Sequence, residues 1–284
     1  MPPSSSTAGT VPARLLTRIR LASLRRNPVD VMEKVFLRTR ERMFGTDLSV
    51  FDNTIAFYRE ERGQVLTREE AFSRALDKQA HKDRWFVEKR QTFEEIVSFY
   101  SESETYPFRQ PWGTRFGGYR WYMDLVRHIP NPSVLEYGCG SAVLTEWLLA
   151  RYPHARFTVA DIPSLTLDFV RWKQRALKLP YRILTIGPRP EDIPVTEQYD
   201  LIICSNVLEH TPNPLQIVTA FVDHLNPGGV LVADFVNDPG GENLDAAVRE
   251  REAVKAHLLR HMVPVKAIDE PAGVNGVYVK PYPA

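Results

Sequence analysis

The sequence predicts an α/β protein in which a mostly parallel sheet is flanked by helices and preceded by an N-terminal helical region. Three observations lead there. From residue 123 onward, short apolar runs alternate with amphipathic stretches. The first of these runs ends in a glycine turn, "VLEYGCGSA" at 134–142. Residues 30–103, by contrast, contain only two glycines, Gly45 and Gly63, and space their apolar residues as a helix does. Alternating strands and helices bury a parallel sheet between helical layers, whereas apolar residues recurring every three to four positions form helical faces.

Taken in order, residues 1–29 form a basic, partly disordered segment. It has no acidic residue through Asn27 and carries Arg14, Arg18, Arg20, Arg25 and Arg26. Leu15, Leu16, Ile19 and Leu24 share a helical face there, so the segment reads as a basic leading helix. An organelle transit peptide or an anionic-surface contact are its rivals. Residues 30–122 form a helical cap or substrate region. "VDVMEKVFLRTRERMF" and "TFEEIVSFY" have helical spacing, and Thr67 with Glu70 matches a capping box. The region ends in a stretch, 101–122, broken by Pro107, Pro111, Gly113, Gly117 and Gly118, which reads as a linker loaded with aromatics. Those aromatics act either as glue or as a lid, with Tyr100 and Tyr106 the first candidates for a lid. Residues 123–284 form the α/β domain. Its strands are expected in "SVLEYG", "ARFTVAD", "YRILTI", "YDLIICS" and "GGVLVADFV", and two more in "PVKAID" and "NGVYVKP".

Composition narrows the function. Net charge is +1 over 284 residues, so no global field attracts nucleic acid or a membrane surface. The only cysteines, Cys139 and Cys204, lie in apolar segments, as in a reduced cytoplasmic protein. No apolar run reaches the length of a bilayer span.

The chemistry is concentrated at strand ends, where parallel sheets bind ligands. Gly138 and Gly140 let a ligand approach the backbone. A dinucleotide fingerprint would need a third glycine where Val143 stands. The Glu136 carboxylate would also repel a diphosphate, so it favours a ligand bearing a cation. The second strand ends in Asp161, placed to accept hydrogen bonds from a ribose diol. S-adenosylmethionine offers both an ammonium and a ribose.

Four segments, "VLEYGCGSA", "VADI", "YDLIICSNVLEH" and "LNPGGVLVADF", resemble in order and spacing the class I S-adenosylmethionine-dependent methyltransferases, especially the ubiquinone and menaquinone biosynthesis branch. The resemblance covers roughly residues 125–284. It implies a Rossmann-like seven-stranded sheet with a reversed last strand, and S-adenosyl-L-methionine as cofactor. It also implies that Glu136, Gly138 and Gly140 hold the methionine part, Asp161 the ribose and Ile162 the adenine face, with Ser205 and Asn206 beside the methionine end. Two departures stand out. Pro188 occupies a position where relatives often have an acid, with Asp192 nearby. Asn206 replaces the first Glu of a Glu-x-x-Glu-His metal motif, leaving Glu209 and His210, so no metal is expected.

His210 follows the fourth strand and is the candidate general base, an imidazole being able to exchange protons near neutral pH. Its rival role is to brace the loop. Asp161 could instead cap the following helix, although Ser164 is better placed for that, and Asn206 could simply satisfy loop backbone. Glu136→Ala is expected to weaken cofactor binding and leave folding largely intact. The function expected is methyl transfer to a small or medium organic acceptor. The rivals are an RNA or protein methyltransferase, for which no RNA-binding module is seen, and a cofactor-binding scaffold without turnover. The sequence names neither the acceptor atom nor the oligomeric state.

Overall fold

The computed structural model describes residues 10–24, 28–77, 92–187, 192–235, 243–266 and 276–283, with positions 83, 84, 87, 88, 90 and 189 between them. The expected disordered tail at 1–10 falls almost entirely outside the described residues, as do Arg25, Arg26 and Pro188.

Seven strands form one sheet: β1 (Ser133–Tyr137), β2 (Arg156–Asp161), β3 (Arg182–Thr185), β4 (Tyr199–Cys204), β5 (Leu225–Ala233), β6 (Val263–Lys266) and β7 (Gly276–Val279), in the order β3-β2-β1-β4-β5-β7-β6. β2 pairs parallel with β3, and β4 with β5, whereas β7 runs antiparallel to both β5 and β6. The fold is the Rossmann-like α/β class with an N-terminal helical region. β1 is buried along its whole length, as strands covered on both faces are.

The chain forms two compact units. One comprises residues 1–25, 121–135 and 195–284. It holds α1 (Ala13–Leu24), β4 to β7, and two helices that follow β4 and β5 in sequence: α10 (Pro214–His224) and α11 (Asp245–His261). Its core includes Leu201, Ile203, Phe221, Val230, Val254 and Tyr278. α1 buries Leu15 and Ile19, the face expected from their spacing.

The other unit comprises residues 26–120 and 136–194. Here α2 (Pro28–Phe44), α3 (Asp52–Arg62), α4 (Arg68–Leu76), α5 (Phe93–Ser101) and α6 (Tyr106–Thr114) accompany α8 (Val143–Arg151), β2, α9 (Leu165–Leu177) and β3. The short α7 (Arg120–Asp124) lies between the helical region and β1 in the chain. Phe51, Phe57, Tyr58, Phe108, Phe169 and Trp172 form this unit's core. The capping box at Thr67 and Glu70 is formed, and a second one joins Thr92 and Glu95.

The stretch 101–122, which the sequence reads as a linker, contains a helix over residues 106–114. α6 contains Pro107 near its start and Pro111 inside. A proline at 111 has no N–H for the carbonyl four residues back. That carbonyl, Pro107 O, instead accepts from buried Thr54 Oγ1 at 3.0 Å. The tertiary bond supplies what the proline removes. The aromatics mostly act as glue: Trp112 stacks on Phe51 at 5.8 Å and Phe108 lies 4.9 Å from Tyr58.

Candidate functional site

The turn after β1 is built from backbone geometry. Gly138, Gly140 and Ala142 have φ of 71°, 53° for Ala142 and 52° for Gly140, all left-handed. Left-handed residues at alternate positions curl the chain tightly. Gly138 and Cys139 both donate N–H bonds to Ala160 O, at 2.8 and 3.1 Å, which ties the turn to the end of β2. Asp161, the last residue of β2, completes the clamp. Its Oδ2 accepts from Gly140 N at 2.6 Å and its Oδ1 from Ile162 N at 2.8 Å. Although partly open to solvent, Asp161 is enclosed by enough protein to push its carboxyl up to about 6, against the lowering effect of those bonds. Ser164, not Asp161, caps α9 by accepting from Leu167 N at 3.1 Å.

Glu136 is buried, one residue before β1 ends. Its Oε2 accepts from Thr145 N at 3.1 Å and from Thr145 Oγ1 at 2.5 Å, in the first turn of α8. Both bonds end on the same oxygen, and Oε1 has no donor among the described residues. Burial pushes this carboxyl up to about 7, despite the bonds from Thr145. A carboxylate at a helix N-terminus is a favourable cap. Glu136 therefore serves its own fold as well as any ligand. This changes the expectation for Glu136→Ala, which removes a helix cap along with the charge.

Two further side chains at this turn carry no signal in the sequence. Gln110, on α6, accepts from Ser141 N through Oε1 at 2.6 Å. A Cβ on Gly140 would meet the Gln110 amide, so a larger residue there would have to displace that side chain and its bond to Ser141, and would also carry a left-handed φ of 52°. Lys173, on α9, is almost wholly buried. It donates to Ser141 O at 2.6 Å and pairs with Glu146 at 2.5 Å. Tyr181 also donates to Glu146, at 3.3 Å. A buried lysine needs such partners, and here they tie α8 and α9 to the glycine turn. Asp192, the candidate substitute acid, is held by the Arg189 guanidinium at 2.7 and 2.9 Å, which lowers its carboxyl below the usual range.

In the first unit, Ser205, Asn206 and His210 follow β4. Asn206 is exposed, and its φ of 55° makes it the turning residue of the loop. Its N–H donates to Asp234 Oδ1 at 2.5 Å. Asp234, at the end of β5, is buried, which raises its carboxyl to about 6. It lies within the quoted "VADF" but the sequence marks no role for it. His210 is part of a short 3-10 turn, Leu208–His210, and its Nε2 lies 3.9 Å from Glu209 Oε1. Glu209 is buried, and burial raises its carboxyl to about 8, so it is mostly protonated at neutral pH. The Glu209 carbonyl accepts from Leu244 N at 2.9 Å, joining the loop to the start of α11. No group of three or more His, Cys, Asp or Glu that could hold a metal occurs among the described residues.

The structure thus brings Glu136, Gly138, Gly140, Asp161 and Ile162 together in one unit, and Ser205, Asn206 and His210 together in the other. The first set fits the methionine and ribose parts of S-adenosylmethionine. It offers a buried carboxylate whose hydrogen bonds among the described residues all fall on one oxygen, a glycine turn, and a second carboxylate beside it.

Residues 135–231 match a family model described as a methyltransferase domain. Among curated proteins, the chain is similar to the ubiquinone biosynthesis O-methyltransferase of Marinobacter nauticus, 28% identical over 116 residues, covering 41% of this chain and 49% of that protein. The namesake from Pseudomonas savastanoi pv. phaseolicola is 31% identical over 111 residues, covering 38% and 46%. The match therefore spans about half the length of these relatives. Among solved structures, PigF with S-adenosylhomocysteine gives a TM-score of 0.49 at 18% identity, covering 75% of this chain and 69% of that one. The N-methyltransferase NodS from Bradyrhizobium japonicum WM9 gives 0.46 at 19%, covering 68% and 100%. At these values the structural likenesses add no weight to the assignment. What remains is similarity: residues 135–231 match a methyltransferase domain model, and about two fifths of the chain is similar to ubiquinone biosynthesis O-methyltransferases.

Proposed function

We propose that this chain is an S-adenosylmethionine-dependent methyltransferase acting on a small or medium organic acceptor, with residues 30–122 as its cap or substrate region. The observation that carries the reading is Glu136. One oxygen caps α8, while the other has no donor among the described residues, beside the left-handed glycine turn. A buried carboxyl raised to about 7 gains most from a ligand ammonium, because the ion pair restores the charge that burial disfavours. Asp161 has both oxygens on backbone N–H groups, yet each carboxylate oxygen has a second lone pair for a ribose hydroxyl. Ile162 supplies an apolar face for the adenine. Ser205 and Asn206 are assigned to the methionine end.

When bound, the cofactor supplies a methyl group already activated on a sulfonium. The protein's part is then to orient the acceptor in line, which contributes about 7–11 kcal/mol. It also removes a proton where the acceptor is a hydroxyl, an acidic carbon or a protonated amine. His210 is our candidate for that proton. His210→Ala should lower turnover about 10²–10⁴-fold and remove the pH dependence of the rate while leaving cofactor affinity unchanged. Affinity and melting temperature falling together, with turnover nearly normal, would show a loop brace instead.

We place the protein in a reducing, cytoplasmic compartment, on its two free, buried thiols. Among the described residues no helix is long and apolar enough to cross a membrane. The decisive experiment is calorimetric titration with S-adenosylhomocysteine, followed by incubation with methyl-labelled cofactor and cell extract. Binding with label in a small molecule supports the proposal. Label in RNA or protein, or binding without any transfer, would replace it.

A further inference from the structure

α2 is amphipathic in the wrong sense for a core helix. Met32, Val35, Phe36 and Met43 recur at intervals of three, four and seven residues, which places them on one face. That face points to solvent: the four residues are 71%, 58%, 66% and 65% exposed. Asp30 and Glu41 lie away from that stripe, and Glu33, which borders it beside Met32 and Phe36, is held by a basic partner. Asp30 is buried, Glu33 pairs with Arg151 at 2.9 Å, and Glu41 pairs with Arg115 at 2.9 Å. The margins of the apolar stripe are basic. Arg38 and Arg42, four apart, border one side and Arg40 the other, and the one acid near them is Asp47, paired with Arg40. A helix that withdraws or pairs its carboxylates and shows an apolar stripe between arginines is built for an anionic interface.

We propose that α2 docks this unit on an anionic lipid surface, with Met32, Val35, Phe36 and Met43 at the headgroup–acyl boundary and Arg38 and Arg42 against lipid phosphates. The charge pattern selects this occupant over a second copy of the chain. A second copy would present a stripe with the same basic flanks and no exposed carboxylates of α2 to pair with Arg38 and Arg42. The inference is independent of the methyltransferase reading.

The test is co-sedimentation of the full chain with vesicles of phosphatidylcholine, with and without phosphatidylglycerol. The chain should sediment with the anionic vesicles far more than with the neutral ones, and less as salt rises. The double variant Val35→Glu/Phe36→Glu should reduce partitioning by about tenfold or more. Arg42→Glu should reduce it by about fivefold. Because these side chains are exposed, the melting temperature and S-adenosylhomocysteine titration should match wild type. Any of three results would overturn the proposal. The first is no preference for anionic vesicles. The second is undiminished binding by the double variant. The third is self-association in sedimentation velocity that the double variant removes while vesicle binding is absent, which would assign the stripe to a second copy.

Discussion

At the residue scale, Glu136 decides most. Its carboxyl is raised to about 7, chiefly by burial. If it receives the cofactor's ammonium, the ionised form binds, so affinity should fall as pH drops below 7 and the carboxyl protonates. Between pH 7.5 and pH 6 the ionised fraction falls about eightfold, and S-adenosylhomocysteine affinity should fall with it. Binding should release a proton, visible as a dependence of calorimetric heat on the buffer's ionisation enthalpy. Glu136→Gln keeps an acceptor for Thr145 and should lose both effects. An affinity that is flat with pH in wild type would remove Glu136 from the methionine end. Asp161→Asn probes a different group. One Asp161 oxygen must accept from Gly140 N, so an amide there either loses that bond or presents a donor outward. The variant should bind S-adenosylhomocysteine more weakly and should no longer prefer it over a 2′-deoxy analogue. Equal binding of the two ligands by wild type would end the ribose assignment.

At the element scale, α6 shows how a helix survives a sequence that argues against it. Pro111 leaves the carbonyl of Pro107 without its helical donor, and buried Thr54 supplies one. Thr54→Val is close in shape but cannot donate. It should cost about 1–3 kcal/mol, the range for a buried polar group left unsatisfied, read from denaturant midpoints. Thr54→Ser should recover most of the loss. α6 also carries Gln110 to the glycine turn, so the Thr54 variant should weaken S-adenosylhomocysteine more than an equally destabilising change elsewhere in this unit, such as Phe57→Leu. Equal weakening by both would show that α6 does not position the turn.

At the scale of the whole molecule, five carboxyls among the described residues are held above their ordinary range by burial, Glu146 among them. Glu136 is raised to about 7, Glu209 to about 8, and Asp161 and Asp234 to about 6. Each binds its proton more tightly folded than unfolded. Their contribution is therefore fully present below the unfolded values of 4.5 and 3.8 and is lost as pH rises toward the folded ones. The melting temperature of the ligand-free chain should accordingly decline from pH 5 to pH 8. Glu209→Gln cannot ionise and should flatten that decline most, since Glu209 is displaced furthest. A slope equal to wild type in this variant would mean that Glu209 is ionised in the folded protein.

The sequence alone determined what depends on local pattern. The alternation after residue 123 specified the α/β class, because an apolar run of strand length between amphipathic stretches has few other ways to bury itself. Steric limits on φ marked Gly138 and Gly140, and capping chemistry marked Thr67 and Ser164. Only the tertiary structure decided which distant residues meet the turn. Gln110 lies 31 positions before Ser141, and Lys173 lies 32 beyond it. No spacing rule links residues that far apart. The helix at 106–114 was illegible for the same reason: its missing donor lies 53 residues away, on Thr54. The helix-capping role of Glu136 was hidden as well. A charge at the end of a buried strand is visible in the sequence, but whether a helix or a ligand claims it depends on where α8 begins in space.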